Sequence, residues 1–263
     1  MKPTSARAAR RLNKKTAASG PPTLASLDAR LARAKVKGVS KPQEDRAKRI
    51  LRSYLQTAQT HGIPVSEVIN EMANGEAARR LGAAVRDTIL QSPPDAVRNA
   101  ACADGCAFCC ILSGGEGGVI THSEAARLHA ALSPMQGESD GREWHKNACP
   151  ALDPATRSCR VYDDRPMICR SFLSTDAEAC RRNAEGGAEI GAGLLGSHLD
   201  YLAVHALSRQ VLKGMTQVHS YSLAQVAAGA VDGLDAQSAL GAARHKPSAL
   251  ENACKDGARA AGV

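Results

Sequence analysis

The chain has 263 residues, of which 43% are apolar but only 3% aromatic, and its net charge is +8. This composition is typical of a soluble globular protein with a core built mainly from Ala, Leu and Val. No apolar run reaches the ~18 residues that a membrane-spanning helix needs, and no apolar segment follows the basic start, so we expect neither a membrane span nor a secretory signal.

Residues 1–42 are predicted to form a disordered basic arm. Residues 1–52 contain fifteen Lys or Arg and three acidic residues, so the positive charge is concentrated at this end of the chain. Such an arm could make weak contacts with nucleic acid or an anionic surface through attraction to phosphate. The alternative is a solvated tail without a partner. The second interpretation is favoured because no aromatic residues, which stack on bases, lie among these charges.

Helical patterns lie on both sides of a central cysteine-rich region. Residues 43–95 predict a helical unit, because apolar residues recur at helical spacing in QEDRAKRILRSYLQTAQTHG and EAARRLGAAVRDTIL. Residues 186–232 predict further helices, and residues 233–263 are expected to be a frayed tail. We therefore predict a mainly α fold in which a small, irregular, Cys-rich metal-binding domain, residues 96–185, is flanked by helices.

The central region has too few large apolar residues to be held by burial alone. Between residues 133 and 160 these are only Met135, Trp144 and Leu152, which cannot offset the entropy lost on ordering the segment. One helix is expected nearby, because THSEAARLHAAL begins with the spacing of a capping box. Something other than a hydrophobic core is therefore needed to fix the rest.

Eight of the nine cysteines lie between positions 102 and 180, and the first four follow the pattern C-x3-C-x2-C-C. Close spacing of this kind lets several thiols reach one ion without backbone strain. A chain without an export signal is expected in the reducing cytoplasm, where cysteine clusters more often hold metal than form disulfides. The candidate ligands are Cys102, Cys106, Cys109, Cys110, Cys149, Cys159, Cys169 and Cys180.

Eight thiols are the number that two four-sulfur sites would require. The adjacent Cys109 and Cys110 are expected to serve different centres, or to supply only one ligand between them. If residues 102–110 were helical, their four thiols would share one face, although Gly105 argues against a continuous helix. Cys254 stands alone in the tail and is assigned no role. The alternatives to metal are a buried cysteine cluster without an ion or a set of disulfides.

The segment CADGCAFCC…GVITHSEAARL…CPALDPATRSCRVYDDRPMICRSF resembles the YkgJ-type cysteine-cluster family of zinc- or iron-chelating domains. Seven cysteines, from Cys102 to Cys169, match fixed positions of the family pattern, and Cys180 corresponds to its variable last cysteine. The other matching positions are Pro150, Tyr162, Arg165, Pro166, Arg170 and Phe172. The resemblance covers about residues 102–180. It implies a small, mostly helical, metal-chelating domain without a defined reaction.

The identity of the metal is left open between zinc and an iron–sulfur cluster. Zinc fits a four-thiolate site, whereas iron–sulfur ligation uses close cysteine triplets with a remote Cys-Pro, which Cys109 and Cys149 with Pro150 allow. Residues 102–109 also have the cysteine spacing of radical SAM enzymes, with GGE at residues 114–116. The strand and helix repeats of a barrel are absent from the sequence, which argues against that enzyme class.

The charged residues near the cysteines allow two interpretations. Arg165 and Arg170 could bind a carboxylate or phosphate substrate, or they could support the thiolates and pair with neighbouring aspartates. The second is favoured because metal-bound thiolates need nearby cations. His122 and His145 are reserve ligands.

The sequence thus predicts a metal-binding protein that chelates zinc or an iron–sulfur cluster, without naming a reaction. The first alternative is an iron–sulfur-dependent enzyme, either an oxidoreductase or one similar to the flagellin lysine methylases, some of which share the cysteine pattern. No second region resembles a methyl-donor pocket. The second alternative is a zinc-stapled module that docks to a partner through its basic amino-terminal arm.

Overall fold

The computed structural model describes residues 21–112, 117–187, 192–194 and 196–260. Within these ranges the fold is mainly α, as predicted. The helices are α1 (Leu24–Arg33), α2 (Lys41–Thr60), α3 (Val65–Asn74), α4 (Glu76–Gln91), α5 (Asp95–Arg98), α6 (His122–Leu132), α7 (Gly141–Trp144), α8 (Met167–Ser171), α9 (Ala177–Ala184), α10 (Gly196–Val211), α11 (Leu223–Val231), α12 (Ala236–Ala243) and α13 (Ser248–Ala260).

The described residues also form three single 3-10 turns, Phe108–Cys110, Ser133–Met135 and Tyr162–Asp164, and four short strands: β1 (Val119–Thr121), β2 (Phe172–Ser174), β3 (Ala192–Leu194) and β4 (Ser220–Ser222). β1 pairs antiparallel with β4, with Ile120 opposite Tyr221, and β2 pairs antiparallel with β3. In the described residues no helix is long and apolar enough to cross a membrane.

Helix α10 is the centre of the first hydrophobic core. Twelve of its sixteen residues are buried, and it packs against α1 to α4 and against α13. The apolar stripe of α2, including Leu51 and Leu55, joins this core. Helices from the amino-terminal and carboxy-terminal parts of the described chain therefore form one hydrophobic core.

Two predicted boundaries differ from the structure. The predicted arm, residues 1–42, includes α1, in which Leu27 and Leu31 are fully buried in the first core. The predicted frayed tail, residues 233–263, includes α12 and α13, and Cys254 of α13 is buried in the same core. In segments with so few large apolar residues, tertiary packing decides whether a helix forms. Residues 1–20 of the predicted arm are outside the described residues.

The second hydrophobic core joins the cysteine-rich region to helices α6, α11 and α12. Leu152 and Val161 from the cysteine-rich region are buried there, together with Leu128 of α6, Val226 of α11 and Leu240 of α12. The expectation that burial contributes little to this region is therefore incomplete. Its few apolar residues are buried because the carboxy-terminal helices supply the surface on which they pack.

Gly75 joins α3 to α4 with a φ of 86°, and a Cβ at this position would lie 2.3 Å from the Cβ of Thr121. Replacing Gly75 with Ala combines the left-handed backbone penalty of ~1–2 kcal/mol with an overpacking penalty of ~1–3 kcal/mol. We expect Gly75→Ala to lower the free energy of unfolding, measured by urea titration, by about 3 kcal/mol.

Gly62 provides the matched control for this substitution. Its φ is also positive, 66°, but a Cβ there would meet nothing within 4 Å, so Gly62→Ala should cost only the backbone penalty of ~1–2 kcal/mol. Equal losses for the two variants would show that the contact with Thr121 is not a constraint.

Two buried histidines on α10 make the first core sensitive to acid. His198 stacks on Tyr201 with ring centroids 5.6 Å apart, and Nε2 of His205 donates to the carbonyl oxygen of His219 over 3.0 Å. Burial lowers the pKa of both imidazoles to about 4. The unfolded chain binds these protons more readily, so stability is expected to fall as the pH drops below ~6.5 and to keep falling to about pH 4, by up to ~3 kcal/mol for each histidine.

Urea unfolding at intervals between pH 7 and pH 5 tests this expectation. The hydrogen bond with Arg79 helps to lower the pKa of Glu76 to about 2. The contribution of Glu76 to stability therefore changes only below about pH 4.5, outside this pH range. His198→Phe should make the stability of the chain less dependent on pH in this window. The same pH dependence in that variant would contradict a contribution from His198.

Candidate metal centre

All eight candidate cysteines line one cavity of about 600 Å³. They reach it from three parts of the chain: residues 102–110, residues 149–159, and the segment that contains α8 and α9. Cys254 is buried in the first core, away from this cavity. The structure therefore brings together the eight cysteines that the sequence grouped and separates the ninth.

Residues 102–110 form a turn followed by a single 3-10 turn, Phe108–Cys110, instead of a continuous helix. Gly105 and Ala107 have positive φ values of 71° and 52°, and a Cβ on Gly105 would lie 2.8 Å from the carbonyl oxygen of Thr156. The chain therefore needs glycine at position 105 to pass close to the loop that precedes Cys159. The thiols of this segment do not share one helical face.

Backbone contacts position Cys149 and Cys159, the next two cysteines along the chain. The amide of Cys149 donates to the carbonyl oxygen of Cys110 over 2.8 Å, and Leu152 forms an antiparallel bridge with Cys159. The loop between them is closed by Asp153, whose Oδ1 accepts from the amide of Thr156 over 2.7 Å. These contacts position Cys149 and Cys159 without help from a regular element.

Ser174, at the end of β2, contacts two of the cysteines, although no sequence motif singles it out. Its amide donates to Sγ of Cys102 over 3.4 Å, and its side chain hydrogen-bonds Cys180. The only sequence signal was its place two residues after Phe172, the last residue of the family pattern. Ser174 therefore connects the first cysteine of the cluster to the last.

The thiols differ in acidity. The hydrogen bond between Cys109 and Cys110 lowers the pKa of Cys109 to about 7 and raises the pKa of Cys110. Burial raises the pKa of Cys149 to about 12 and raises that of Cys169 well above its usual value. Most of these thiols are consequently protonated at neutral pH in the absence of metal, and binding a cation must displace their protons.

The two arginines singled out from the sequence lie beside the cavity. Arg165 stacks on Tyr162, with Cζ 3.5 Å from the ring centroid, and its charge opposes the raised pKa of Cys159 and Cys169. Arg170 donates through Nε to the carbonyl oxygen of Arg165 over 2.8 Å and through Nη2 to that of Asp163. The contacts of Arg170 are thus with backbone oxygens and not with the predicted aspartate carboxylates.

Arg165 also lines a smaller cleft of about 250 Å³, which the sequence did not predict. Four further arginines line it, from three helices: Arg79, Arg86, Arg127 and Arg170. Arg79 and Arg127 are paired with Glu76, at 2.7 and 2.9 Å. Four acidic residues, Asp87, Glu124, Asp163 and Asp164, line the same cleft. The cleft therefore places both guanidinium groups and carboxyl groups next to the cysteine cavity.

Neither reserve histidine lines the cysteine cavity. Nδ1 of His122 lies 3.0 Å from the hydroxyl of Tyr221, and Nδ1 of His145 accepts from the amide of Asn147 over 3.2 Å. Both side chains are thus engaged in contacts of their own. Four aromatic residues lie between Cys102 and Cys180 in the sequence: Phe108, Trp144, Tyr162 and Phe172. Of these, Tyr162 and Phe172 line the cavity.

The donor set fits a thiophilic metal, since all the thiols open into one cavity and thiolates suit zinc and iron–sulfur clusters alike. Among the described residues, however, no three Cys, His, Asp or Glu side chains are grouped closely enough to hold a single ion. The thiols line the walls of a wider space. Binding a single ion would require cysteine side chains to turn inward from these walls.

Residues 101–186 match the family CxxCxxCC, described as "Putative zinc- or iron-chelating domain". This match confirms the resemblance found in the sequence and covers less than half of the chain. No curated protein and no solved structure is significantly similar to the chain. The described strands form two antiparallel pairs and no barrel, which does not favour radical SAM chemistry, and residues 114–116 lie outside the described residues.

Proposed function

We propose that this protein binds metal through the eight thiols of its cysteine cavity, and that the bound metal cross-links the three chain segments that carry them. The observation that supports this proposal is the common cavity of Cys102, Cys106, Cys109, Cys110, Cys149, Cys159, Cys169 and Cys180. These segments contribute few large apolar residues and are joined by few backbone hydrogen bonds, so an ion would add the constraint that they lack.

The metal is either zinc or iron in an iron–sulfur cluster, and both are compatible with thiolate donors. Zinc would act as a structural cross-link, whereas a cluster would add the capacity for electron transfer. In both cases Arg165 is the cation best placed to balance the thiolate charge, because its guanidinium favours ionisation of Cys109, Cys159 and Cys169.

Metal analysis of the full chain, purified without oxygen and with reductant, tests the proposal. We expect stoichiometric zinc in a colourless protein, or iron and sulfide with a visible absorption band. Cys106→Ser should lower the metal content, and the matched control Cys254→Ser, which changes a thiol buried in the other core, should not. Protein that holds no metal, or an unchanged metal content in Cys106→Ser, would argue against thiol ligation in this cavity.

A second candidate function is a metal-dependent enzyme that acts on an anionic substrate. The observation that favours it is the position of Arg165, which lines both the cysteine cavity and the arginine-rich cleft. A carboxylate or phosphate bound to these guanidinium groups would lie next to the thiols. The exposed ring of Tyr162, with 59% of its surface accessible, stacks on Arg165 at the entrance.

Inorganic phosphate is a suitable probe for the cleft. Phosphate is expected to raise the thermal midpoint of the metal-loaded protein at constant ionic strength, and Arg165→Gln should reduce this shift. Arg181→Gln is the control, since Arg181 is held by Glu178 and Glu185 on the outside of α9. Equal shifts in the two variants would exclude a specific role for Arg165 in anion binding.

A further inference from the structure

The cysteine cavity has a side packed on protein and a side open to solvent. Cys149 belongs to the second hydrophobic core, and Cys110, Cys159 and Cys169 are half-buried against that core. The other four thiols belong to neither core. Of these, Cys102 and Cys109 are exposed, Cys106 is half-buried and Cys180 is buried.

The four thiols on the packed side are neighbours of one another. Cys110 and Cys149 are joined through their backbones by a hydrogen bond of 2.8 Å. The electrostatic neighbours of Cys169 include Cys149 and Cys159, and those of Cys110 include Cys149 and Cys169. Packing on the second core separates these four residues from Cys109, which is also a neighbour of three of them. We call them the inner set: Cys110, Cys149, Cys159 and Cys169.

The remaining thiols are grouped around Ser174 and the start of α9. Ser174 contacts both Cys102 and Cys180, and the electrostatic neighbours of Cys180 are Cys106, Cys102 and Cys109. The 3-10 turn Phe108–Cys110 also lies against α9, the helix that carries Cys180. We call these four the outer set: Cys102, Cys106, Cys109 and Cys180.

Cys109 lies at the boundary between the two sets. It leaves the 3-10 turn Phe108–Cys110 beside Cys110, and the two thiols are hydrogen-bonded to each other. Cys109 is therefore close to both sets, since it is an electrostatic neighbour of Cys110, Cys149 and Cys169 and also of Cys180. A four-thiolate site needs a fourth donor beside Cys102, Cys106 and Cys180, and Cys109 can supply it.

We propose that the eight thiols form two adjacent four-sulfur sites, a structural inner site and a solvent-facing outer site that exchanges its metal. This inference rests on the proposed function and adds to it a division of the ligands and a difference between the two sites. The inner set packs against the second hydrophobic core, so a competing ligand reaches its metal from all sides only when this packing opens locally. The outer set opens to solvent at Cys102 and Cys109, where a competing ligand can reach the metal directly.

Zinc alone is the probe for this division. The reduced full-length chain is loaded with zinc, the excess is removed, and release to a chelating indicator dye is followed over time. We expect two zinc ions per chain, released in two phases of equal amplitude, the first at least ~10-fold faster because the inner site must open before it releases metal. Cys102→Ser and Cys106→Ser should remove the fast phase and leave the slow phase unchanged.

Further variants locate each ligand. The double variant Cys102→Ser with Cys106→Ser should lose no more zinc than either single variant, because both ligands serve one site. Cys159→Ser and Cys169→Ser should remove the slow phase, and Cys254→Ser should change neither phase. Since the inner variants could fail to fold, the outer variants, whose thiols lie outside both cores, carry the decisive comparison.

The outcomes separate the two proposals. A wild-type chain that binds no zinc and carries no native metal contradicts the proposed function itself. A chain that binds only one zinc, or releases two in a single phase, retains metal binding but overturns the division. The same holds if Cys109→Ser alters both phases, because Cys109 would then bridge the sites instead of belonging to the outer one.

Discussion

Removal of the bound metal is expected to open the cysteine-rich region to protease while the first hydrophobic core stays folded. The loops that carry Cys102, Cys106 and Cys159 are held mainly by turns and single bridges, whereas α10 is buried among six helices, α1 to α4, α8 and α13. Thiolate ligation of structural zinc contributes on the order of 10 kcal/mol. Its loss should therefore destabilise the loops much more than the helices.

Limited trypsin digestion, with and without a strong chelator in reducing buffer, measures this effect. New cleavage is expected after Arg157, whose loop borders the cavity, at a rate at least ~10-fold higher than in the loaded protein. Cleavage after Arg209 of α10, which is held by Val218 and Pro247, is the internal control. An unchanged rate of cleavage after Arg157 in the presence of the chelator would contradict a structural role for the metal.

The order of events on chelation also bears on the second hydrophobic core. Leu152 and Val161 keep part of the cysteine-rich region packed on α11 and α12 without any metal. We therefore expect tryptic cleavage to begin after Arg157 and Arg160 and to reach Arg127 of α6 later. Metal and burial act on different parts of the same region, and the sequence alone indicated only the metal.

The parts of the fold that local sequence determines could be predicted. The spacing of Leu51 and Leu55 indicated α2, and the capping box at Thr121 and Glu124 marked the start of α6, where Thr121 N donates to Glu124 over 3.0 Å. The grouping of eight cysteines indicated a common site because chelation imposes close spacing along the chain. In each case the physical constraint acts between residues that are near one another in sequence.

The parts that depend on distant residues could not be predicted. Leu27 and Leu31 make α1 a core helix only because α10, more than 160 positions later, provides the surface beside them. The contact of Ser174 with Cys102, and the arginine-rich cleft formed by α4 and α6 beside Arg165, likewise arise from long-range packing. Periodicity and composition do not indicate which distant residues pack against each other.

Replacement of Glu124 by Ala is expected to destabilise the protein strongly and to disturb Cys169. The Glu124 carboxylate is buried, and it accepts hydrogen bonds from the amide of Met167 over 2.8 Å and from the hydroxyl of Tyr201 over 2.5 Å. Both the amide and the hydroxyl of Thr121 donate to it over 3.0 Å. This one side chain therefore connects β1, α8 and α10.

Loss of the carboxylate would leave these buried donors unsatisfied, so the free energy of unfolding should fall by ~3–5 kcal/mol. Met167 begins α8, the helix that carries Cys169, so the metal content of the variant should fall as well. Urea titration and metal analysis of the same preparation measure the two effects together. Tyr201→Phe, which removes only one donor, should cost ~1–2 kcal/mol and leave the metal content unchanged.

Glu178→Ala is the matched control, because Glu178 is also a helical glutamate, but its partner is an arginine, Arg181 at 2.5 Å, and its side chain is 56% exposed. An exposed pair of this kind contributes less than ~1 kcal/mol. If Glu124→Ala were no more destabilising than Glu178→Ala, the hydrogen bonds of the buried carboxylate would not be what holds α8 in place. If instead it lost stability but kept all its metal, the position of Cys169 would have to be fixed by the cysteine cavity itself.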